Sequence, residues 1–219
     1  ALRTWLEHER LTAFSMNFLA FTSASGLPTI PFLAASEAMT RGIGYAGEGD
    51  VLTAALVGAL ASVYPETSFT EMFCPDWAGN SIFLSHMGEM NVALAAAKPR
   101  LLEKPFPWTD LANPPAVAVG LFKPGEAIFV DLAPIAGGRF RLIIVPVRML
   151  EVEGEDRFAE IIRGWFTPRL PIADFLAEYS RLGGTHHAAL VYGDVAADLV
   201  KFGRIMGWDV KAIGNCPGL

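Results

Sequence analysis

Apolar and polar positions follow a helical period in residues 2–11, 32–40 and 51–64, and we predict a helix in each of these stretches. An extended apolar run, 13–18, follows the first helix, and a loop rich in Ser, Gly and Pro occupies 23–31. Helices that alternate with an extended run predict an α/β unit in the early part of the chain.

The remainder of the chain carries short apolar runs separated by turn signals, and these runs predict β-strands. The predicted strands are 68–73, 81–86, 116–122, 127–132, 139–152, 187–191 and 208–213. Consecutive hairpins favour an antiparallel sheet, which can close into a barrel. Two predicted helices interrupt the strands. One covers 172–182, and the other is capped by Asp194 and ends at Met206. The proline-rich stretch 96–114 is predicted to be an irregular connection. The predicted fold class is therefore α/β plus antiparallel β.

Composition excludes several classes of function. The 219 residues are 52% hydrophobic, which is enough for a substantial core. The net charge of −6 leaves no basic surface for phosphates, so we expect no nucleic-acid partner. The most apolar predicted helix, 51–64, is shorter than the roughly 20 residues that span a bilayer, so we expect no membrane segment.

The two cysteines, Cys74 and Cys216, lie far apart and show no CxxC spacing, so neither a disulfide framework nor a zinc finger is predicted. We expect a cytoplasmic protein. The chain begins at Ala1, without a methionine, directly in a helical pattern, and we therefore expect it to be a piece of a longer protein.

Residues 42–47 match the letters of the dinucleotide-binding motif GxGxxG. That motif requires a strand before the glycines, because the strand and the following helix place the glycine turn against the pyrophosphate. Here a helical pattern precedes them, and we reject a nucleotide loop.

Two acidic residues have features of metal ligands. Glu48 lies just ahead of the helix that Asp50 is predicted to cap, where the partial positive charge of the helix favours an ionised carboxylate. The alternative is an ordinary surface acid. Glu71 lies in a predicted strand with Phe69 and Phe73 on its own face, and a glutamate among aromatic residues must be paired or bound.

Histidines occur in two separated places. His86 ends the second predicted strand, and it is either a ligand or a hydrogen-bonded core residue. His186 and His187 follow Gly183-Gly184, and strand alternation allows only one of them to face a site, for which we predict His187. The alternative for this pair is a surface loop. Two glutamates with two separated histidines suit a hard divalent metal.

Several segments, taken in order, resemble the C-terminal part of the L-arabinose isomerase family. They are Ala13-Phe14, 44–50, 53–56, 67–71, 85–89 and 183–187. That family's polypeptide is much longer and carries an N-terminal α/β domain that this chain lacks. The resemblance implies that residues 1–65 are part of a Rossmann-like central α/β domain, and that residues 66–219 form a C-terminal antiparallel β-barrel domain with flanking helices.

The resemblance also implies a catalytic site. It places the family's metal ligands, usually for manganese (Mn²⁺), at Glu48, Glu71, His86 and His187. Glu48 and Glu71 would also be the acid/base pair of an aldose–ketose isomerase, which moves a proton between C1 and C2 of a sugar through an enediol. Phe18 would match an aromatic residue that packs against the sugar. His186, the residue of the pair that alternation turns away from the metal, is expected to orient sugar hydroxyls or to pack. In this family a neighbouring subunit completes the pocket, so we expect a homo-oligomer and an isolated chain that is incomplete as an enzyme.

Residues 69–74 depart from the family, which tends to carry an acidic, tyrosine-rich continuation there, and the connection from Glu71 to His86 is shorter. The substrate is therefore open between L-arabinose and another pentose, hexose or deoxysugar. A second interpretation of the chain is a non-catalytic sugar-binding or assembly module that retains the isomerase scaffold.

Overall fold

The structure is a computed structural model that describes residues 1–214, so Cys216 lies outside the described residues. The α-helices are Leu2–His8 (α1), Phe32–Thr40 (α2), Val51–Ala61 (α3), Ile172–Arg181 (α4) and Ala196–Ile205 (α5). The strands are Ala13–Ser15 (β1), Gly44–Ala46 (β2), Thr67–Asp76 (β3), Ser81–Ser85 (β4), Arg100–Glu103 (β5), Ala116–Val119 (β6), Gly125–Ile135 (β7), Arg139–Met149 (β8), Gly164–Pro168 (β9), His187–Tyr192 (β10) and Asp209–Ala212 (β11). No helix in residues 1–214 has both the length and the apolar character needed to cross a membrane.

A closed antiparallel barrel dominates the part of the chain after α3. Its strand order is β8-β7-β10-β3-β4-β9, and the pairing of β8 with β9 closes the ring. β11 extends the sheet in parallel beside β8. The predicted antiparallel barrel is thus confirmed, and closure leaves none of its six strands as an open edge.

Alternate residues of the barrel strands divide between two hydrophobic clusters. Ile128 and Val130 of β7 belong to a cluster that includes Leu56 of α3, whereas Phe129 lies in a second cluster with Phe175 of α4. The second cluster takes residues from strands all around the ring and therefore fills its interior. The two-residue period of the strands explains this division, because neighbouring side chains point to opposite faces.

The first part of the chain is a small α/β unit, in which β1 and β2 pair in parallel and α3 packs against both. Asp50 caps α3, since its Oδ1 accepts a hydrogen bond of 2.9 Å from the backbone N–H of Thr53. The predicted cap is confirmed. Helix α2 precedes the glycines of residues 42–47, as the helical pattern predicted.

Other expectations are wrong in detail. The stretch 96–114 contains β5, which pairs with β6, and β9 was not predicted at all. Asp194 does not cap α5, whose N-cap is Val195, without a side-chain hydrogen bond. The two missed strands share a cause: β5 and β9 are short and gain their hydrogen bonds from partners elsewhere in the chain, which a local pattern does not report.

Candidate metal centre

Two of the predicted ligands lie on the neighbouring barrel strands β3 and β10, the third directly follows β4, and the fourth comes from the α/β unit. The register of β3 and β10 places His187 opposite Glu71, and that of β3 and β4 places Glu71 opposite Ser85, the residue before His86. Glu48 lies in the turn between β2 and α3. Segments more than one hundred residues apart in sequence therefore meet where the α/β unit contacts the barrel.

A cavity of about 420 Å³ opens at this meeting point. Its acidic and basic lining includes Glu48, Glu71, His86 and Lys104. Its apolar wall is a chain of edge-to-face and tilted aromatic contacts, formed by Phe18, Phe32, Phe106 and Trp108. The cavity thus combines a few polar groups with an aromatic surface, which is typical of a small-molecule site.

His187 has one ring nitrogen without a protein partner. The residue is 3% exposed, and its Nδ1 lies 3.1 Å from Oδ2 of Asp50. Its Nε2 is buried, has no hydrogen-bond partner in the described residues, and lies 3.9 Å from Oε2 of Glu48. Because Asp50 accepts the proton on Nδ1, the lone pair of Nε2 is free to bind a cation.

Asp50 is held in its ionised form. Burial acts to raise its pKa, but the hydrogen bonds from His187 and Thr53 outweigh burial and lower the pKa to about 2. Asp50 therefore serves both as the helix cap and as the carboxylate that orients His187. The sequence motif Gly47-Glu48-Gly49-Asp50 predicted the cap but did not predict the contact with His187.

His86 is supported in the same way by Glu89, which sequence reasoning missed. Oε2 of Glu89 lies 2.8 Å from Nδ1 of His86 and accepts a 2.9 Å hydrogen bond from the Gly88 N–H, while Oε1 accepts one of 2.6 Å from the Tyr45 hydroxyl. Burial acts to raise the pKa of Glu89, but the His86 imidazole outweighs it and lowers the pKa. The signal available in the sequence was an acid three residues after a histidine.

Phe69 contacts both imidazoles, whose rings also pack edge to face against each other at 5.7 Å between centroids. It is fully buried, and its ring lies edge to face against His86 at 4.8 Å and against His187 at 5.0 Å between centroids. The two-residue alternation of the predicted strand indicated that Phe69 lies on the same face as Glu71. The Phe69 ring therefore limits the tilt of both histidines.

The turn that carries Glu48 has an uncommon backbone. Glu48 has φ of 60° and Gly49 has φ of +83°, so two successive residues adopt the left-handed region. A non-glycine residue in this region is uncommon, and such residues cluster at functional sites. A Cβ on Gly47 would lie 2.8 Å from Nε2 of His86, so glycine at this position lets the turn approach that imidazole.

The described residues contain one group of potential ligands whose atoms all lie within 4.8 Å of one another, namely Glu48, His186 and His187. Glu71 and His86 lie outside this group and line the cavity of about 420 Å³ together with Glu48, whereas His186 lines a different cavity. His187 is buried and His186 is exposed, although both have a ring nitrogen near Glu48. That His187 is the one of the pair that faces the site therefore stays a prediction.

A cavity lined by carboxylates and an oriented imidazole, at the junction of an α/β unit and a closed barrel, is typical of an enzyme that acts on a small polar molecule. The L-arabinose isomerase central domain family matches residues 1–64, and the L-arabinose isomerase C-terminal domain family matches residues 66–209. The chain belongs to the L-arabinose isomerase family, which confirms the resemblance.

Curated relatives agree with this assignment. The chain is 30% identical over 218 residues to the L-arabinose isomerase of Herpetosiphon aurantiacus, an alignment that covers 97% of this chain and 42% of the relative. It is 31% identical to L-arabinose isomerase 1 of Bacillus licheniformis and to the L-arabinose isomerase of Geobacillus thermodenitrificans, covering 98% of this chain and 43% of each relative. The chain thus spans less than half the length of these relatives.

Proposed function

We propose that this chain forms the metal-binding and proton-transferring part of an aldose–ketose isomerase that acts on a small sugar of the L-arabinose type. Family membership and the names of the relatives support the reaction class and the sugar. As part of the same proposal, residues 1–65 belong to a Rossmann-like central domain and residues 66–219 to a C-terminal domain.

The observation that carries the proposal is the buried, unpartnered Nε2 of His187 beside Glu48. Burying a polar nitrogen without a partner is unfavourable, and a divalent cation would satisfy it. The proposed ligands are Glu48, Glu71, His86 and His187. Carboxylate oxygens with imidazole nitrogens suit Mn²⁺, which when bound would polarise the sugar carbonyl and stabilise negative charge on its oxygens.

The two glutamates are the proposed acid and base. Conversion of an aldose to a ketose moves a proton from C2 to C1 and another from the C2 hydroxyl to the C1 oxygen. Both carboxylates line the cavity, and they approach it from different elements, Glu48 from a turn and Glu71 from β3. One carboxylate is proposed to carry the carbon-bound proton, and the other to carry the proton between oxygens.

The aromatic wall and His186 are the proposed sugar contacts. Phe18 packs edge to face on Phe106 at 5.3 Å between centroids, and both line the cavity. Aromatic rings offer an apolar face for the C–H groups of a sugar, while His186, which lies beside Glu48, offers a ring nitrogen for a hydroxyl. The cavity is further proposed to be completed by a neighbouring subunit of a homo-oligomer.

The substitution Glu71→Gln tests the proposal in the full-length protein. It replaces a carboxylate by a neutral amide of the same shape, so we expect Mn²⁺ binding to weaken and interconversion of L-arabinose with its ketose to fall at least about 100-fold. Calorimetric titration with Mn²⁺ and an assay of ketose formation measure the two effects. Glu126→Gln makes the same chemical change at an exposed position on β7 and is the matched control. Wild-type activity in the Glu71→Gln variant would overturn the acid/base assignment.

A further inference from the structure

Asp131 is a buried carboxylate that the proposed reaction does not use. It lies on β7, which is the barrel neighbour of β10, and it is 1% exposed. Both of its oxygens accept hydrogen bonds from one residue, Thr185. Oδ2 accepts from the Thr185 backbone N–H at 3.1 Å, and Oδ1 accepts from the Thr185 hydroxyl at 2.9 Å.

Thr185 is held at its carbonyl as well. The hydroxyl of Tyr179, on α4, donates a hydrogen bond of 2.7 Å to the Thr185 carbonyl oxygen. The preceding turn packs on the same tyrosine, because a Cβ on Gly184 would lie 2.2 Å from the Tyr179 ring. The amide, hydroxyl and carbonyl groups of Thr185 are therefore all fixed by buried side chains.

The chain enters the candidate metal centre immediately after this anchor. The carbonyl oxygen of His186 accepts a hydrogen bond of 2.8 Å from the Met72 N–H, and His187 lies opposite Glu71. Thr185 is thus the last fixed residue of the turn before the two histidines. Its hydroxyl also lies 3.0 Å from the carbonyl oxygen of His187, which links the anchor directly to that residue.

We propose that Asp131 is a positioning residue of the metal centre: by holding Thr185 with both oxygens, it fixes the start of β10 and the placement of His186 and His187. This inference rests on the proposed function, in which the site is a metal centre. The hydrogen bonds of Thr185 are the means by which Asp131 would position the two histidines. A carboxylate is suited to the task because hydrogen bonds to a charged acceptor are stronger than those to a neutral one.

The conservative variant separates positioning from charge. In Asp131→Asn the side-chain oxygen can accept from the Thr185 N–H, and the amide can donate to the Thr185 hydroxyl oxygen, whose proton then goes to the His187 carbonyl. In Asp131→Ala both contacts are lost. In Thr185→Val the hydroxyl contact is lost, but the shape and the N–H contact remain.

Two measurements on the full chain test the proposal, namely Mn²⁺ affinity by calorimetric titration and hydrogen–deuterium exchange of the amides of residues 185–189. We expect Asp131→Ala to bind Mn²⁺ about tenfold more weakly, since partners that orient ligands typically change metal affinity by 10- to 100-fold. We expect hydrogen–deuterium exchange of the amides of residues 185–189 in Asp131→Ala to rise about tenfold, because the start of β10 opens more often. Thr185→Val should show smaller changes of both kinds, and Asp131→Asn should restore values within about threefold of wild type.

Tyr192→Phe is the matched control. Tyr192 lies at the far end of β10, and its hydroxyl donates to the Lys123 carbonyl, so the variant removes a buried hydrogen bond from the same strand away from the histidines. It should leave Mn²⁺ affinity and exchange in 185–189 unchanged. If Asp131→Ala, folded, matches Tyr192→Phe in both readouts, the positioning role is overturned. If wild type itself fails to bind Mn²⁺, the proposed function fails, and the exchange data alone decide the role of Asp131.

Discussion

At the scale of single residues, the candidate metal centre is defined as much by its supporting carboxylates as by its ligands. Asp50 and Glu89 each hold the Nδ1 of one imidazole, so that both rings are locked in one orientation. Such outer partners fix the tautomer and direct the remaining nitrogen toward the cation. The same two acids also stabilise backbone, one at the start of α3 and the other at Gly88.

Replacing Glu89 by alanine should destabilise the fold. The change leaves the Tyr45 hydroxyl, the His86 ring nitrogen and the Gly88 N–H without their buried acceptor. Each unsatisfied buried donor costs about 1–3 kcal/mol, so we expect a loss of about 3 kcal/mol or more in the free energy of unfolding, measured by urea denaturation. Glu89→Gln keeps one acceptor oxygen, and its amide N–H can donate a hydrogen bond to the Tyr45 hydroxyl oxygen. This variant should therefore lose less than half as much of the free energy of unfolding. Equal losses in the two variants would contradict this account.

At the scale of elements, the position of α3 on β2 determines where Glu48 and Asp50 lie. Gly44 and Gly58 allow this close approach, because a Cβ on Gly44 would lie 2.3 Å from the Ala54 carbonyl oxygen and 2.3 Å from the Gly58 nitrogen. Both neighbours are backbone atoms of the helix, which cannot move aside as a flexible side chain can.

Gly44→Ala should therefore displace α3 rather than be absorbed locally. We expect a loss of about 1–3 kcal/mol in the free energy of unfolding, in the range of overpacked cores, and weaker Mn²⁺ binding because Glu48 moves with the helix. Thermal denaturation and calorimetric titration measure the two effects. Gly120→Ala is the control, since its Cβ would meet its nearest neighbour at 3.2 Å and lies away from α3. A Gly44→Ala variant as stable as the Gly120→Ala variant would refute the packing argument.

The elements and several site residues could be predicted where the signal is local. The helical period located α2 and α3, and the residues around Asp50 predicted its capping role. The contacts of Glu89 and Asp131 could not be predicted, because each joins residues whose proximity results from barrel closure or from a turn conformation. The exact start of β10 could not be predicted for a related reason, because the start of a strand depends on its partner.

At the scale of the whole molecule, the half-buried Asp50 and the buried Asp131 give opposite dependences of stability on pH. The pKa of Asp50 is lowered to about 2, so its contribution to stability is present above its ordinary value of 3.8 and is lost as pH falls through about 2. Burial, only partly offset by the Thr185 and Tyr179 hydrogen bonds, raises the pKa of Asp131 to about 6. Its folded form therefore binds the proton more tightly than the unfolded chain does.

Asp131 should make the protein less stable as pH rises from about 4 to about 6. Its contribution is fully present below the ordinary value of 3.8 and is lost as pH passes through about 6. A shift of this size corresponds to about 3 kcal/mol in the free energy of unfolding. Urea denaturation at a series of pH values from about 3.5 to about 7.5 measures this change in the free energy of unfolding, because the range brackets the ordinary and the raised pKa of Asp131. The side chain of the Asp131→Asn variant cannot titrate. The difference in free energy of unfolding between this variant and wild type should therefore change by about 3 kcal/mol across this pH range, and the variant should gain relative stability at the higher pH. A constant difference from one end of the window to the other would show that Asp131 is ionised, or neutral, in both the folded and the unfolded chain.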